Sequence, residues 1–284
     1  CPPDFRKYKQ VSSEIREIFY QYTDLVEPLS LDEAFLDVTE SKVAINSATL
    51  IAREIKQKIK ERLNLTASAG VSYNKFLAKI ASDINKPDGL FVIPPAKAQE
   101  FIDHLEVKKF FGVGKVTAKK MNDLGIFYGS DLKLVTKNEL IRLFGKAGSY
   151  YYDVARGIDD RPVMPDRERK SVGVENTFAS DLREEDELSA EIEKLINELW
   201  RRVERTGKIG KTLTLKIKFS DFEQITRSIT KPNFFLEKEE ALTNALHLMK
   251  LEYPFPKSIR LLGLTISNFY VENSGPVQLV LDFV

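Results

Sequence analysis

Apolar residues recur at helical spacing in three stretches of the first hundred residues. Ile15, Ile18, Phe19 and Tyr22 make the first, and Ala48, Ile51, Ala52, Ile55, Ile59 and Leu63 make a clear amphipathic stripe that Asn64 is placed to end. Phe76, Leu77, Ile80, Ala81 and Ile84 make the third. Between them, Val26 to Val38, Thr66 to Ser72 and Leu90 to Ile93 have strand-like composition. The mixture predicts half of an α+β sandwich. Pro94-Pro95 then opens a helical, glycine-marked region that runs to about Arg161. Phe110-Phe111-Gly112-Val113-Gly114-Lys115 leads into a helix carrying Ala118 and Met121. Phe144-Gly145-Lys146-Ala147-Gly148 leads into one carrying Tyr151, Val154 and Ala155, so the region reads as a duplicated helix-hairpin-helix.

Residues 162–172 hold Pro162, Pro165 and the charged run Asp166 to Lys170, the composition of a tether. A third unit follows. A strand at 174–180 precedes a helix with the stripe Leu188, Ile192, Leu195, Ile196, Leu199 and Val203, closed by Gly207. Strands at 211–219 and 224–230, a helix at 237–250 and a strand at 259–269 complete a β-α-β-β-α-β order, a ferredoxin-like split sandwich. In the strand from Lys211 to Phe219, Leu213, Leu215, Ile217 and Phe219 share one face, and Thr212, Thr214, Lys216 and Lys218 share the other. Thr226, Ser228 and Thr230 extend that polar face to the next strand.

The net charge of +1 argues against a broadly basic binder, but the charges are segregated. Residues 181–193 hold seven acids against Arg183, whereas 196–220 hold Arg201, Arg202, Arg205, Lys208, Lys211, Lys216 and Lys218 against Glu198 and Glu204. That run reads as one basic face. Cys1 is the only cysteine, so no intrachain disulfide forms, in keeping with a reducing cytoplasmic location. With His104 and His247 the only histidines, a Cys/His zinc site is excluded, and metal chemistry must use carboxylates. No apolar run approaches the ~20 residues needed to span a bilayer. The chain starts at Cys1 without an initiator methionine and reads as a fragment whose N-terminus lies upstream.

Four features carry candidate chemistry. Asp32 and Glu33 stand between Leu31 and Phe35-Leu36, and an acidic pair in buried strand sequence demands compensation, which a hard divalent ion supplies. Neighbours on a regular strand point to opposite faces, so the pair is expected at a hairpin end or bulge. Taken alone, it reads more readily as a solvated Asp-Glu turn. Lys86 follows an apolar helix in an extended turn, suited to a triphosphate or simply to solvent. Gly112 and Gly114, followed by Lys115 at a helix start, suit close approach of a phosphate backbone. Lys216 and Lys218, among hydroxyls, suit phosphate oxygens or an ordinary solvated sheet face.

Together these residues resemble the Y-family DNA polymerases of the bacterial DNA polymerase IV type, through nearly the whole chain. Ser-Leu-Asp-Glu-Ala-Phe-Leu-Asp-Val at 30–38 looks like the family's palm carboxylate motif. Lys79-Ile80-Ala81-Ser82-Asp83 with Asn85-Lys86-Pro87 looks like its nucleotide-phosphate motif, and Gly112 to Lys115 like its thumb hairpin. Arg169 to Gly173 resembles its entry into the little finger. The resemblance implies an α+β protein with a partial palm at 1–94, an all-α helix-hairpin-helix thumb at 95–161, a linker at 162–172 and a ferredoxin-like little finger at 173–277. It implies an error-prone template-directed polymerase acting on primer-template DNA and a deoxynucleoside triphosphate as a monomer. Asp32 and Glu33 would hold two Mg²⁺ ions, with a further carboxylate upstream of Cys1, and Lys86 would contact the triphosphate. Residues 278–284 are similar to the family's sliding-clamp peptide, at Gln278, Leu279, Leu281 and Phe283. Residues 1–284 alone are expected to bind primer-template DNA without extending it. The rival readings are a non-catalytic helix-hairpin-helix repair scaffold and, more distantly, a carboxylate-dependent nuclease.

Overall fold

The structure, a computed structural model, describes residues 3–270. The chain divides into two compact units, Cys1–Arg167 and Glu168–Val284. In the first, α1 (Phe5–Tyr20) is followed by β1 (Val26–Pro28) and β2 (Ala34–Leu36), an antiparallel hairpin in which Glu27 registers with Phe35. The apolar stretch from Val26 to Val38 is therefore two three-residue strands around a turn, not one strand. Next come α2 (Ala48–Leu63), β3 (Ala69–Val71), α3 (Lys75–Ile84) and β4 (Leu90–Val92), with β3 and β4 paired in parallel. The periodic stripe of α2 buries Ile51, Ile55 and Ile59 against Ile18 and Tyr22. Ser47 caps its N-terminus, a bond worth about 1 kcal/mol, and Asn64 ends it at φ 53°.

The helical region comprises α4 (Pro95–Asp103), a 3₁₀ turn (Val107–Lys109), α5 (Lys115–Asp123), α6 (Gly129–Leu134), α7 (Lys137–Phe144) and α8 (Lys146–Val154). Its core is continuous with that of α3, because Phe76, Leu77 and Ile80 pack with Ile102, Phe110, Met121, Leu140 and Tyr151. Gly70 lets β3 lie against α3, since a Cβ there would stand 2.1 Å from the Ala78 carbonyl oxygen. The two glycine-centred turns differ. Gly112, at φ +90°, and Gly114 make a loop before α5, whereas α8 starts directly after Gly145, so Gly148 lies within the helix. Gly148 serves packing, for a Cβ would meet the Leu140 carbonyl oxygen at 2.0 Å.

In the second unit the order is β5 (Ser171–Leu182), α9 (Glu185–Thr206), β6 (Gly210–Phe219), β7 (Gln224–Thr230), α10 (Lys238–Lys250) and β8 (Ile259–Phe269). This is the expected β-α-β-β-α-β succession. The sheet order is β5-β8-β6-β7 with every neighbour antiparallel, so each helical crossover spans one intervening strand. Leu213, Leu215 and Ile217 are fully buried with Leu188, Ile192, Leu199 and Ala245 of the two helices, and the alternate residues of β6 face away. Fully burying each such aliphatic side chain contributes about 1.5–3 kcal/mol. Among the described residues no helix is long and apolar enough to cross a membrane.

Candidate active site and nucleic-acid interface

Asp32 and Glu33 occupy the turn of the β1–β2 hairpin, where strand alternation is broken. The amides of Leu29 and Ser30 donate to the Glu33 carbonyl at 2.9 and 3.3 Å, and Ser30 Oγ accepts from the amides of Asp32 and Glu33. Ser30 Oγ also donates to Asp32 Oδ1 at 2.5 Å. This tight turn presents both carboxylates on consecutive residues. Asp32 is exposed and Glu33 half-buried, so the expected burial penalty on the pair does not arise.

Helix α3 lies opposite. Asn74 caps it, and Lys79, on its polar stripe, bridges Glu33 at 3.2 Å and Asp83 at 3.3 Å. Lys86 pairs with Asp83 at 2.5 Å. Its pKa is raised, first by the hydrogen bond to Asp83 and further by the charges of Glu33 and Asp32. Burial works to raise the Asp83 pKa, yet Lys86 and Lys79 hold it below the ordinary value. Two acids of the turn, two lysines and Asp83 thus form one charge network. Sequence reasoning singled out Asp32, Glu33 and Lys86 but gave Lys79 and Asp83 no role. Their signal was the i, i+4 spacing of Lys75, Lys79 and Asp83 opposite the apolar face.

The donor set fits a hard divalent ion in part. Asp32 and Glu33 offer carboxylate oxygens at an accessible turn, the ligand type such ions require. Among the described residues, however, no group of three or more His, Cys, Asp or Glu side chains is placed to hold a metal.

At the helical hairpin, Gly112 has a left-handed φ of +90°, and a Cβ at Gly114 would meet open space. Tyr150 underlies the loop, its hydroxyl donating to the Phe111 carbonyl at 3.0 Å, and burial pushes its pKa up to about 12. Phe111 also meets Phe35 of β2 edge to face at 6.2 Å, which connects this loop with the carboxylate hairpin. The surrounding lysines are not all free. Lys108 and Lys109 pair with Glu106 and Lys119 with Asp123, while Lys115 at the start of α5 has no ion pair among the described residues.

On the second unit's sheet, Thr212, Thr214, Lys216 and Lys218 register with Thr230, Ser228, Thr226 and Gln224, so the polar face continues onto β7. Lys216 is held by Glu175 at 2.8 Å. The basic run of 196–220 is not one face. Arg201 belongs to α9, which covers the apolar side of the sheet, and pairs with Glu198, whereas Lys216 and Lys218 stand on the opposite side. Arg202, also of α9, reaches the Gly173 carbonyl at 2.9 Å and borders the hollow that Lys216 and Glu175 line. Gln278, Leu279, Leu281 and Phe283 lie outside the described residues.

Three family profiles match the chain: the impB/mucB/samB family over residues 1–83, the IMS family HHH motif over 95–126, and the impB/mucB/samB family C-terminal domain over 169–281. The chain is 51% identical to DNA polymerase IV 2 of Agrobacterium fabrum, over 94% of its own length and 75% of that protein. It is 53% identical to DNA polymerase IV of Akkermansia muciniphila, over 92% and 73%. Among solved structures, a Y-family DNA polymerase chimera of Dbh and Dpo4 matches with a TM-score of 0.85 at 30% identity, covering 95% of this chain and 78% of that one. An insertion ternary complex of Dbh DNA polymerase matches at 0.59 and 29%, covering 95% and 78%.

Proposed function

The chain belongs to the impB/mucB/samB family, the Y family of DNA polymerases, whose work is template-directed DNA synthesis past damaged template, and from that premise we propose where each part of the reaction is handled. It is a DNA-directed DNA polymerase; DNA and an incoming nucleotide are its partners, and divalent-metal dependence comes with the family. The observation that carries the site assignment is the carboxylate turn facing Lys79, Asp83 and Lys86.

Asp32 and Glu33 would hold two Mg²⁺ ions, carboxylate oxygens being the donors such hard ions take. When bound, such ions supply Lewis-acid activation of the primer hydroxyl and neutralise charge on the phosphates. Lys86, an ammonium beside the carboxylates, orients the triphosphate; Lys79 keeps Glu33 neutralised before metal arrives. Gly112, Gly114 and Lys115 grip the DNA backbone without reading sequence. Lys216 and Lys218, with their threonines, contact phosphates from the sheet. The palm is residues 1–94, the thumb 95–161 and the little finger 173–277, with 162–172 as the linker, whose first residues are seated on Lys75 and Glu27 and whose last two already pair in β5. Residues 278–284 dock on a replicative sliding clamp, which makes weak binding useful through tethering. The protein works as a monomer in the cytoplasm.

Primer extension by the full-length gene product tests the site. Asp32→Ala and Glu33→Ala each remove several kcal/mol of transition-state stabilisation, roughly a 10²–10⁴-fold loss in rate. Normal extension by both variants overturns the assignment. The scaffold reading has no observation in its favour once the family is known.

A further inference from the structure

Residues Gly157 to Met164 run as a strap over the N-terminal end of α3, and four consecutive side chains or amides there receive them. Tyr73 Oη and Asn74 Nδ2 both donate to the Gly157 carbonyl, at 3.1 and 2.9 Å. Lys75 Nζ donates to the Pro162 carbonyl at 3.0 Å, and the Phe76 amide donates to Asp159 Oδ2 at 2.9 Å. Asp159 is gripped in turn by Arg161, at 2.6 and 2.8 Å, and the Arg161 guanidinium stacks on Tyr150 beneath the helical hairpin.

The strap ends on Glu27. This carboxylate, on β1 at the base of the hairpin that bears Asp32 and Glu33, is only 8% exposed. Its Oε2 accepts from Lys75 Nζ at 2.5 Å and from the Met164 amide at 2.9 Å. Lys75 Nζ also lies 5.2 Å from the ring of Phe35, the residue in register with Glu27. Lys75 and Lys79 stand one turn apart on α3, so the helix holds the hairpin twice: at its base through Lys75–Glu27 and at its tip through Lys79–Glu33. The tip contact is half-exposed and open to competition from a bound cation. The base contact is shielded and shared with the strap.

We infer that Glu27 and Lys75 are positioning residues for the polymerase reaction: their shielded ion pair, locked by the strap, sets the carboxylate turn in register with the Lys79–Lys86 segment. This rests on the reading of Asp32 and Glu33 given above. Neither residue touches DNA, nucleotide or metal in that reading. Their effect passes through the hairpin, and displacement of reacting groups by about 1 Å is enough to lose about 10²-fold in rate.

The test compares Lys75→Met, which keeps the aliphatic stem, and Glu27→Gln, which keeps an acceptor for the Met164 amide, with their double variant. In primer extension by the full-length gene product, each single change lowers kcat by about 10–100-fold. Each also raises the metal concentration at half-maximal rate, while DNA affinity stays as in wild type. The double variant is no worse than the poorer single one, as a shared interaction requires. Independently of activity, hydrogen exchange on the 284-residue chain shows faster exchange of the Leu29, Ser30 and Glu33 amides, with α2 unchanged. Variants that melt at lower temperature but keep wild-type kcat and metal dependence, or that leave the exchange of residues 29–33 unaltered, overturn the inference. If Lys75→Met does not fold, Glu27→Gln decides. A wild-type protein that fails to extend primers sinks the polymerase reading, and the exchange experiment still decides whether the pair sets the turn.

Discussion

Glu27 shows how one residue combines opposing terms. Burial raises its pKa, but the hydrogen bonds from Lys75 and the Met164 amide and the charges of Lys75 and Arg167 outweigh it, so the folded value lies below the ordinary 4.5. A carboxyl depressed by folding adds stability that is complete above its unfolded pKa and is lost as pH falls through the folded one. Unfolding of the chain monitored between pH 7 and 3 is therefore expected to show an acid limb beginning near pH 4.5 that Glu27→Gln flattens. Gly70 poses a steric problem instead. Gly70→Ala forces a Cβ to within 2.3 Å of the Ser82 amide nitrogen as well as the Ala78 oxygen, and neither is a flexible side-chain end. A loss of about 1–3 kcal/mol is expected from the denaturant midpoint, with the second unit's transition unchanged. Neither residue was conspicuous in the sequence, because Glu27 precedes a proline in a short run and Gly70 sits in a strand of small residues. Their roles depend on partners 48 and 137 positions away in one case and on a helix backbone in the other.

At the scale of elements, strong periodicity was enough. The stripes of α2, α3 and α9 and the alternation of β6 predict buried faces that the structure realises, save that Ile84 at the end of the α3 stripe stays exposed, because apolar spacing fixes which side of an element must leave water. The carboxylate turn was legible too, since adjacent acids cannot cooperate on a straight strand. What misled was proximity in sequence standing in for proximity in space. Arg201 and Lys216 lie close along the chain yet on opposite sides of a layer, and the second glycine cluster resembles the first but packs inside a helix. For the helical hairpin, Gly112→Ala is expected to strain a φ of +90°, at about 1–2 kcal/mol, and to weaken DNA binding. Lys115→Ala, which removes a cation without an ion pair among the described residues, is expected to weaken binding to all sequences alike. The slope of log affinity against log salt then falls by about 0.9, readable from a fluorescence titration.

For the molecule as a whole, separate cores lie behind the two units, one built from α9, α10 and the four-stranded sheet and the others from the elements before Arg167. Residues 166–170 between them are exposed. Brief trypsin treatment is expected to cut at Arg167, Arg169 or Lys170 before any other site, giving two fragments by mass spectrometry. The strap just upstream is different in kind. It is recognised through the carbonyls of Gly157 and Pro162 and the amide of Met164, which nearly every residue type supplies, and through two side chains, Asp159 and Arg161. The information that seats it is therefore stored in Tyr73, Asn74, Lys75 and Glu27, far from the segment that uses it. In a saturation-mutagenesis screen, positions 158, 160 and 163 should accept almost any substitution, and Met164 anything but proline. Gly157 is fixed by its left-handed backbone at φ +73°, Asp159 by its carboxylate and Arg161 by its guanidinium, so a surface loop of ordinary appearance would carry three intolerant letters in a permissive stretch.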